Sequence, residues 1–170
     1  MTVPPQILMV CLGNICRSPT AEFALKAVAE RRGLDVTVSS AGTGDWHHGK
    51  PADSRMTAAA ATFGLDLIPH VARQVDVAMM RDADLILAMD RTNFLELERL
   101  AAERQITTPI RMFRAFDPDV TDSVDVPDPY YGDGEGFTNV VAMCVRTATH
   151  LLDTLTDANG DWRAPLEELS

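Results

Sequence analysis

The sequence holds only three cysteines in 170 residues, an odd number that cannot form a complete disulfide framework. Its opening, MTVPPQILMV, lacks the basic region of a secretory signal, and its apolar run is too short for one. Free thiols in a reducing cytoplasm are therefore expected. No stretch approaches the roughly 18 apolar residues of a membrane span, so no membrane insertion is expected. Positive charge is also scarce: 15 Lys and Arg stand against 25 Asp and Glu, for a net charge of −10. Nucleic acid and anionic membranes are bound through basic patches, and an acidic surface opposes both as partners. Any anion pocket must then be locally positive within a negative protein. Nucleotide loops are missing as well: there is no Gly-Lys-Ser/Thr, and no G-x-G-x-x-G follows a strand.

What is present reads as one α/β domain. A chain of this length buries about 70% of its unfolded surface and needs neither disulfide nor metal to fold. Four short apolar runs read as strands: QILMV (6–10), VTVSS (36–40), DLILAM (84–89) and IRMF (110–113). Their continuous pattern predicts strands covered on both faces, as in a parallel sheet. Between them lie predicted helices. One starts at Pro19, with proline as its first residue, and runs to about Arg32. The others span 51–63, 91–104 and about 134–156. Alternating strands and helices predict a doubly wound, three-layer domain over 1–170, with loosely held ends at 1–5 and 158–170. Such sheets bind ligands beyond the carboxyl ends of their strands.

CLGNICRS (11–18) sits at that place, after the first strand and opening the first helix. Backbone N–H groups at a helix start, with the helix dipole, form a cradle for a tetrahedral oxyanion. Gly13 is expected to supply backbone angles that let the loop turn its amides inward. Cys11 places a thiol in this ring of dipoles, an environment that favours the nucleophilic thiolate. Arg17 offers a planar fork that matches two phosphate oxygens. Ser18 can donate its hydroxyl to the sulfur as that sulfur departs. The combination proposes thiolate attack on phosphorus. A zinc site on Cys11 and Cys16 lacks evident further ligands.

Cleavage of a phosphate ester also needs an acid for the leaving oxygen. The segment from Ala115 to Gly136 carries six Asp and three Pro without apolar periodicity, and long loops of this kind are usually functional or disordered. Read as a calcium loop from Asp117, it lacks Gly at the sixth position and Glu at the twelfth. Two Asp-Pro pairs offer an acid, Asp117-Pro118 and Asp128-Pro129. Composition does not choose between them, although Tyr130 and Tyr131 beside the second suit an aromatic leaving group.

VCLGNICRSP resembles the phosphate loop of the low-molecular-weight protein tyrosine phosphatases, and DPYYG (128–132) resembles their acid loop. SSAGTGDWHHGKPAD (39–53), HVARQ (70–74) and LAMDRTN (87–93) agree in order and approximate spacing. The resemblance spans about residues 6 to 157. It implies a four-stranded parallel sheet and hydrolysis of phosphotyrosine in proteins without metal or other cofactor. It also implies roles. Cys11 is the nucleophile, Arg17 binds the phosphate, and Asp128 is acid and then base. Leu12, Gly13, Asn14, Ile15, Cys16 and Ser18, with Trp46, Tyr130 and Tyr131, form the substrate site. His70 supports Asn14, Ser40 stands behind the residues that line the site, and Cys16 forms a reversible disulfide with Cys11 that guards against over-oxidation.

Other residues are given plainer roles. His47 and His48 are expected to be solvated. Asp90 is expected to cap the helix at Arg91 rather than serve the site, and Cys144 belongs to the core. The protein is expected to be a monomer. Two rivals share the motif. An arsenate reductase would need two more downstream cysteines, but AMDRTNFLELERL has none and only Cys144 remains. A non-catalytic phosphotyrosine-binding module would have lost Cys11 or Asp128, and both are present.

Overall fold

The computed structural model describes residues 3–157 and 159–162. Four parallel strands, β1 (Gln6–Cys11), β2 (Thr37–Gly42), β3 (Leu85–Ala88) and β4 (Ile110–Met112), pair in the order β2-β1-β3-β4. Five helices connect or flank them: α1 (Arg17–Arg31), α2 (Ser54–Ala61), α3 (Val77–Asp82), α4 (Arg91–Arg104) and α5 (Gly134–Leu155).

Strand residues alternate between two cores. Ile7, Met9, Leu85 and Leu87 face one side and pack with Leu25 of α1, Met56 of α2 and Val141 of α5. Leu8, Val10, Ile86 and Ala88 face the other and pack with Met80 of α3 and Leu97 of α4. Both faces are dry, which is why the strands read as unbroken apolar runs. The chain leaves β1 toward β2 on one side, while β3 lies on the other. The carboxyl end of β1 is thus the switch point where such sheets open a crevice.

Several boundaries differ from those predicted. Helix α1 begins at Arg17, so Pro19 is its third residue. Proline costs no hydrogen bond there, because the first four helical N–H groups have no partner within the helix. Helix α3 was not anticipated; six residues are too few to show a period, and Asp76 starts it by accepting the Met79 N–H. Phe113 leaves β4 for a 3-10 turn, Phe113–Phe116, and is fully buried. Of the C-terminal stretch expected to be loosely held, residues 158 and 163–170 lie outside the described residues, and Trp162 is buried in the larger of the two cores. Among the described residues no helix is long and apolar enough to cross a membrane.

Candidate active site

Cys11 ends β1 with 2% of its surface exposed. The next five residues bend around its sulfur. The Asn14 N–H donates to Cys11 Sγ at 3.2 Å, and Ser18 Oγ stands 3.0 Å from the same atom. The Asn14 amide Nδ2 donates to Ser18 Oγ at 2.8 Å, so the serine proton is free to point elsewhere. Its nearest acceptor is Cys11 Sγ, with the Ala41 carbonyl farther away at 3.4 Å. The N–H groups of Gly13, Ile15 and Cys16 meet no acceptor among the described residues. They are the unpaired donors expected of a helix-opening anion loop.

Asn14 carries the loop's unusual backbone, with φ +57°. Asparagine tolerates this left-handed region better than most residues. Gly13 does not adopt such a φ, contrary to expectation; its role is spatial, since a Cβ there would come within 2.8 Å of the His47 ring. Asn14 is held from behind. Its Nδ2 also donates to Ser40 Oγ at 3.0 Å, its Oδ1 accepts from the Arg73 N–H at 3.0 Å, and its carbonyl accepts from His70 Nε2 at 2.7 Å. Ser40 in turn donates to the buried Glu22 carboxylate, which also pairs with Lys26. His70 thus touches Asn14 as expected, Ser40 stands behind the loop and meets the same asparagine, and Glu22 and Arg73 were missed. Arg73 lies within the HVARQ stretch but was given no role there, and nothing in the local sequence marks Glu22, because α1 and the 70–74 stretch meet only in the fold.

Arg17 is 3% exposed. Its Nη1 donates to Asp90 Oδ2 at 2.6 Å and to the Val126 carbonyl at 3.2 Å, and its Nη2 reaches Asp128 Oδ2 at 3.4 Å. Burial opposes its charge, but Cys11, Asp90 and Asp128 outweigh that and raise its pKa above the ordinary arginine value. Asp90 caps α4 as expected, its Oδ1 accepting the Asn93 N–H, yet it also holds Arg17, so the two roles are not alternatives.

Asp128 stands at the same opening, whereas Asp117 does not. Asp117 is buried and paired with Arg146 and Arg114, and of the two Asp-Pro aspartates only Asp128 lines the cleft. The acidic segment is anchored rather than free. The Val126 N–H donates to the Met89 carbonyl, Asp125 Oδ1 accepts the Arg91 N–H, and Asp119 pairs with Arg146.

The cleft over Cys11 is walled by Leu12, Gly13, Ile15, Cys16, Arg17, Trp46, Asp128, Tyr130 and Tyr131, together with His47. His47 was expected to be solvated, but it lies between Trp46 and Tyr130, with ring centroids 6.3 and 6.1 Å away. Tyr131 is 94% exposed at the rim. The cavity holds about 90 Å³, well below the roughly 300–1,000 Å³ of pockets that engulf a whole ligand. It suits one phosphate, with the rest of the substrate outside. Burial pushes the Cys16 thiol far above its usual pKa, with Asp53, Cys11 and Asp128 acting the same way. All three cysteines are free thiols, and burial pushes Cys144 up to about 12. Among the described residues no group of three or more His, Cys, Asp or Glu is placed to hold a metal ion.

Comparison with known proteins agrees with this geometry. The family model described as low molecular weight phosphotyrosine protein phosphatase matches residues 6–160. A low molecular weight protein-tyrosine-phosphatase of Streptomyces coelicolor is 41% identical over 150 residues, covering 86% of this chain and 91% of that protein. Low molecular weight protein-tyrosine phosphatase A of Mycobacterium tuberculosis is 42% identical over 146 residues, covering 84% and 86%. Among solved structures, a protein tyrosine phosphatase from Entamoeba histolytica superposes with a TM-score of 0.83 at 35% identity, covering 89% of this chain and 96% of that one.

Proposed function

Because this chain belongs to the low molecular weight phosphotyrosine protein phosphatase family, we propose that it hydrolyses phosphotyrosine in proteins through a phosphocysteine intermediate. The observation that carries this reading is the convergence of Cys11, Arg17 and Asp128 on one small cleft.

The phosphate enters the loop, and its oxygens take the free N–H groups and the Arg17 fork. Cys11 Sγ attacks phosphorus; the S–P bond forms as the bond to the phenolic oxygen breaks. Asp128 gives that oxygen its proton. The same carboxylate then takes a proton from water, which attacks phosphorus and breaks the S–P bond. Inorganic phosphate leaves and the thiolate returns, hydrogen-bonded by Asn14 and Ser18. Interactions aimed at charge that develops during reaction are usually the largest catalytic contribution, and this loop is preorganised for that. Leu12, Trp46, Tyr130 and Tyr131 flank the substrate ring.

Three unpaired thiols suit a reducing cytoplasm, where we place the protein as a monomer acting on phosphotyrosine-containing proteins. Gel filtration tests the oligomeric state. The function is tested by turnover of p-nitrophenyl phosphate and a phosphotyrosine peptide in chelator-treated buffer. Cys11→Ser should abolish turnover while phosphate still binds. Turnover that survives Cys11→Ser, or that vanishes on chelation, overturns the reading. Arsenate reduction coupled to thiols, without phosphatase activity, would favour the reductase instead.

A further inference from the structure

Asp128 lies in a stretch without helix or strand, between the 3-10 turn and α5. Its upstream side is fastened to the ends of β3 and α4 through Val126 and Asp125. Downstream, the Tyr130 N–H donates to Asp128 Oδ1 at 3.2 Å, so the place of Tyr130 sets the place of the carboxylate.

Tyr130 meets the rings of His47 and Tyr131, and its own ring is faced by Arg55. Its guanidinium lies 5.3 Å from the Tyr130 ring centroid and 4.6 Å from that of Phe137, the buried aromatic at the start of α5. Both are within the range of cation–π attraction. The guanidinium does not swing freely, because Asp53 grips it at Oδ1 (3.2 Å to Nε) and Oδ2 (2.8 Å to Nη2). Asp53 is itself fixed. It caps α2, and its N–H donates to the Ile15 carbonyl of the phosphate loop at 2.8 Å. A continuous chain of contacts therefore runs from the loop of the nucleophile, through Asp53 and Arg55, to the loop of the acid.

Resting on the phosphatase reading above, we propose that Arg55 is a positioning residue for the general acid: it carries Tyr130 at a set distance from the phosphate loop and so fixes the reach of Asp128 over Cys11. A planar cation is required. Lysine keeps the charge but loses both the two-point grip on Asp53 and the flat face toward the rings.

The experiment compares kcat/KM for phenyl phosphate, whose leaving group needs a proton, with p-nitrophenyl phosphate, whose leaving group needs it far less. It uses the wild type, Arg55→Met, Arg55→Lys, Asp128→Asn and the Arg55→Met/Asp128→Asn double variant. Acid catalysis contributes about 10²–10⁴-fold, and a displaced acid should forfeit part of it. Both Arg55 variants should lose about tenfold on phenyl phosphate and less than about threefold on p-nitrophenyl phosphate. The second substrate thus reports the folded fraction of each variant. With Asp128 already replaced, Arg55→Met should cost less than about twofold more, since coupled residues are not additive. Equal losses on both substrates, or full additivity in the double variant, would make Arg55 a structural residue of α2 and overturn the proposal. Asp128→Asn slowing both substrates alike would overturn the acid assignment and Arg55's role with it. Failure of the wild type to turn over either ester would instead sink the phosphatase reading.

Discussion

Arg17 Nη1 stands 2.6 Å from Asp90 Oδ2, while Oδ1 of the same carboxylate accepts the N–H of Asn93. One side chain thus starts α4 and aims the guanidinium of α1 across the ends of two adjacent strands. Arg17 cannot choose another orientation without burying its charge with fewer partners, which is costly in a dry site.

The two jobs of Asp90 are separable. Asparagine is as good a helix cap as aspartate, but it cannot neutralise Arg17. Asp90→Asn and Asp90→Ala should lose phosphatase activity by a similar factor, about tenfold or more. Asp90→Ala should cost about 1 kcal/mol more in stability, the usual worth of a cap. Urea unfolding of both variants beside kcat/KM checks this; equal stabilities would mean the cap contributes nothing.

Asp128 should be needed in proportion to the basicity of the leaving oxygen. Asp128→Asn should lower kcat/KM for phenyl phosphate by roughly 10² or more, and for p-nitrophenyl phosphate by much less. Rates plotted against leaving-group pKa should therefore steepen in the variant. An unchanged slope would remove Asp128 from the role of acid.

Cys16 borders the same cleft as Cys11, and burial keeps it a thiol rather than a thiolate. Mild peroxide should oxidise Cys11 to a sulfenic acid, which Cys16 then captures as a disulfide with release of water. Reductant should restore activity. In Cys16→Ser the recoverable fraction should drop, with sulfinic acid at Cys11 visible by mass spectrometry. Full recovery in that variant would show that Cys16 offers no protection.

Asp117 carries the pH dependence of stability most clearly. Hydrogen bonds from Arg146, then from the Asp119 N–H and Arg114, overcome burial and lower its pKa from the ordinary 3.8 to about 2. A depressed carboxylate stabilises the fold above its unfolded-state pKa and loses that contribution as pH falls through the folded one. The wild type should therefore lose about 2 kcal/mol between roughly pH 4 and pH 2 through this group alone. Asp117→Asn should be less stable at neutral pH and should show a correspondingly shallower decline on acidification. Parallel stability curves for the two proteins would contradict the assignment.

Much of this was legible from local pattern. The four strands, α1, α4 and α5 follow from apolar runs and helical spacing, because burial on one or two faces imposes a period on any chain that folds this way. Cys11, Arg17 and Ser18 were also readable, since the phosphate loop is a contiguous stretch at a strand-to-helix junction. The acid was harder. Asp117 and Asp128 look alike in composition, and only the fold pairs Asp117 with Arg146, 29 residues away, and leaves Asp128 at the cleft. His47 looked like a surface histidine because its neighbours, Gly13 and Tyr130, are distant in sequence.

The chain's own order of residues decided the sheet, the loop after β1 and the place of Cys11 at its start, because each depends on neighbours a few positions apart. The supports of that loop were decided only when the chain packed. Glu22, Ser40, His70 and Arg73 behind Asn14, Asp90 behind Arg17, and Arg55 beneath Tyr130 are drawn from separate elements. A hydrogen bond or ring contact has a reach of a few ångströms, and no local pattern records which distant residues the fold will bring within it.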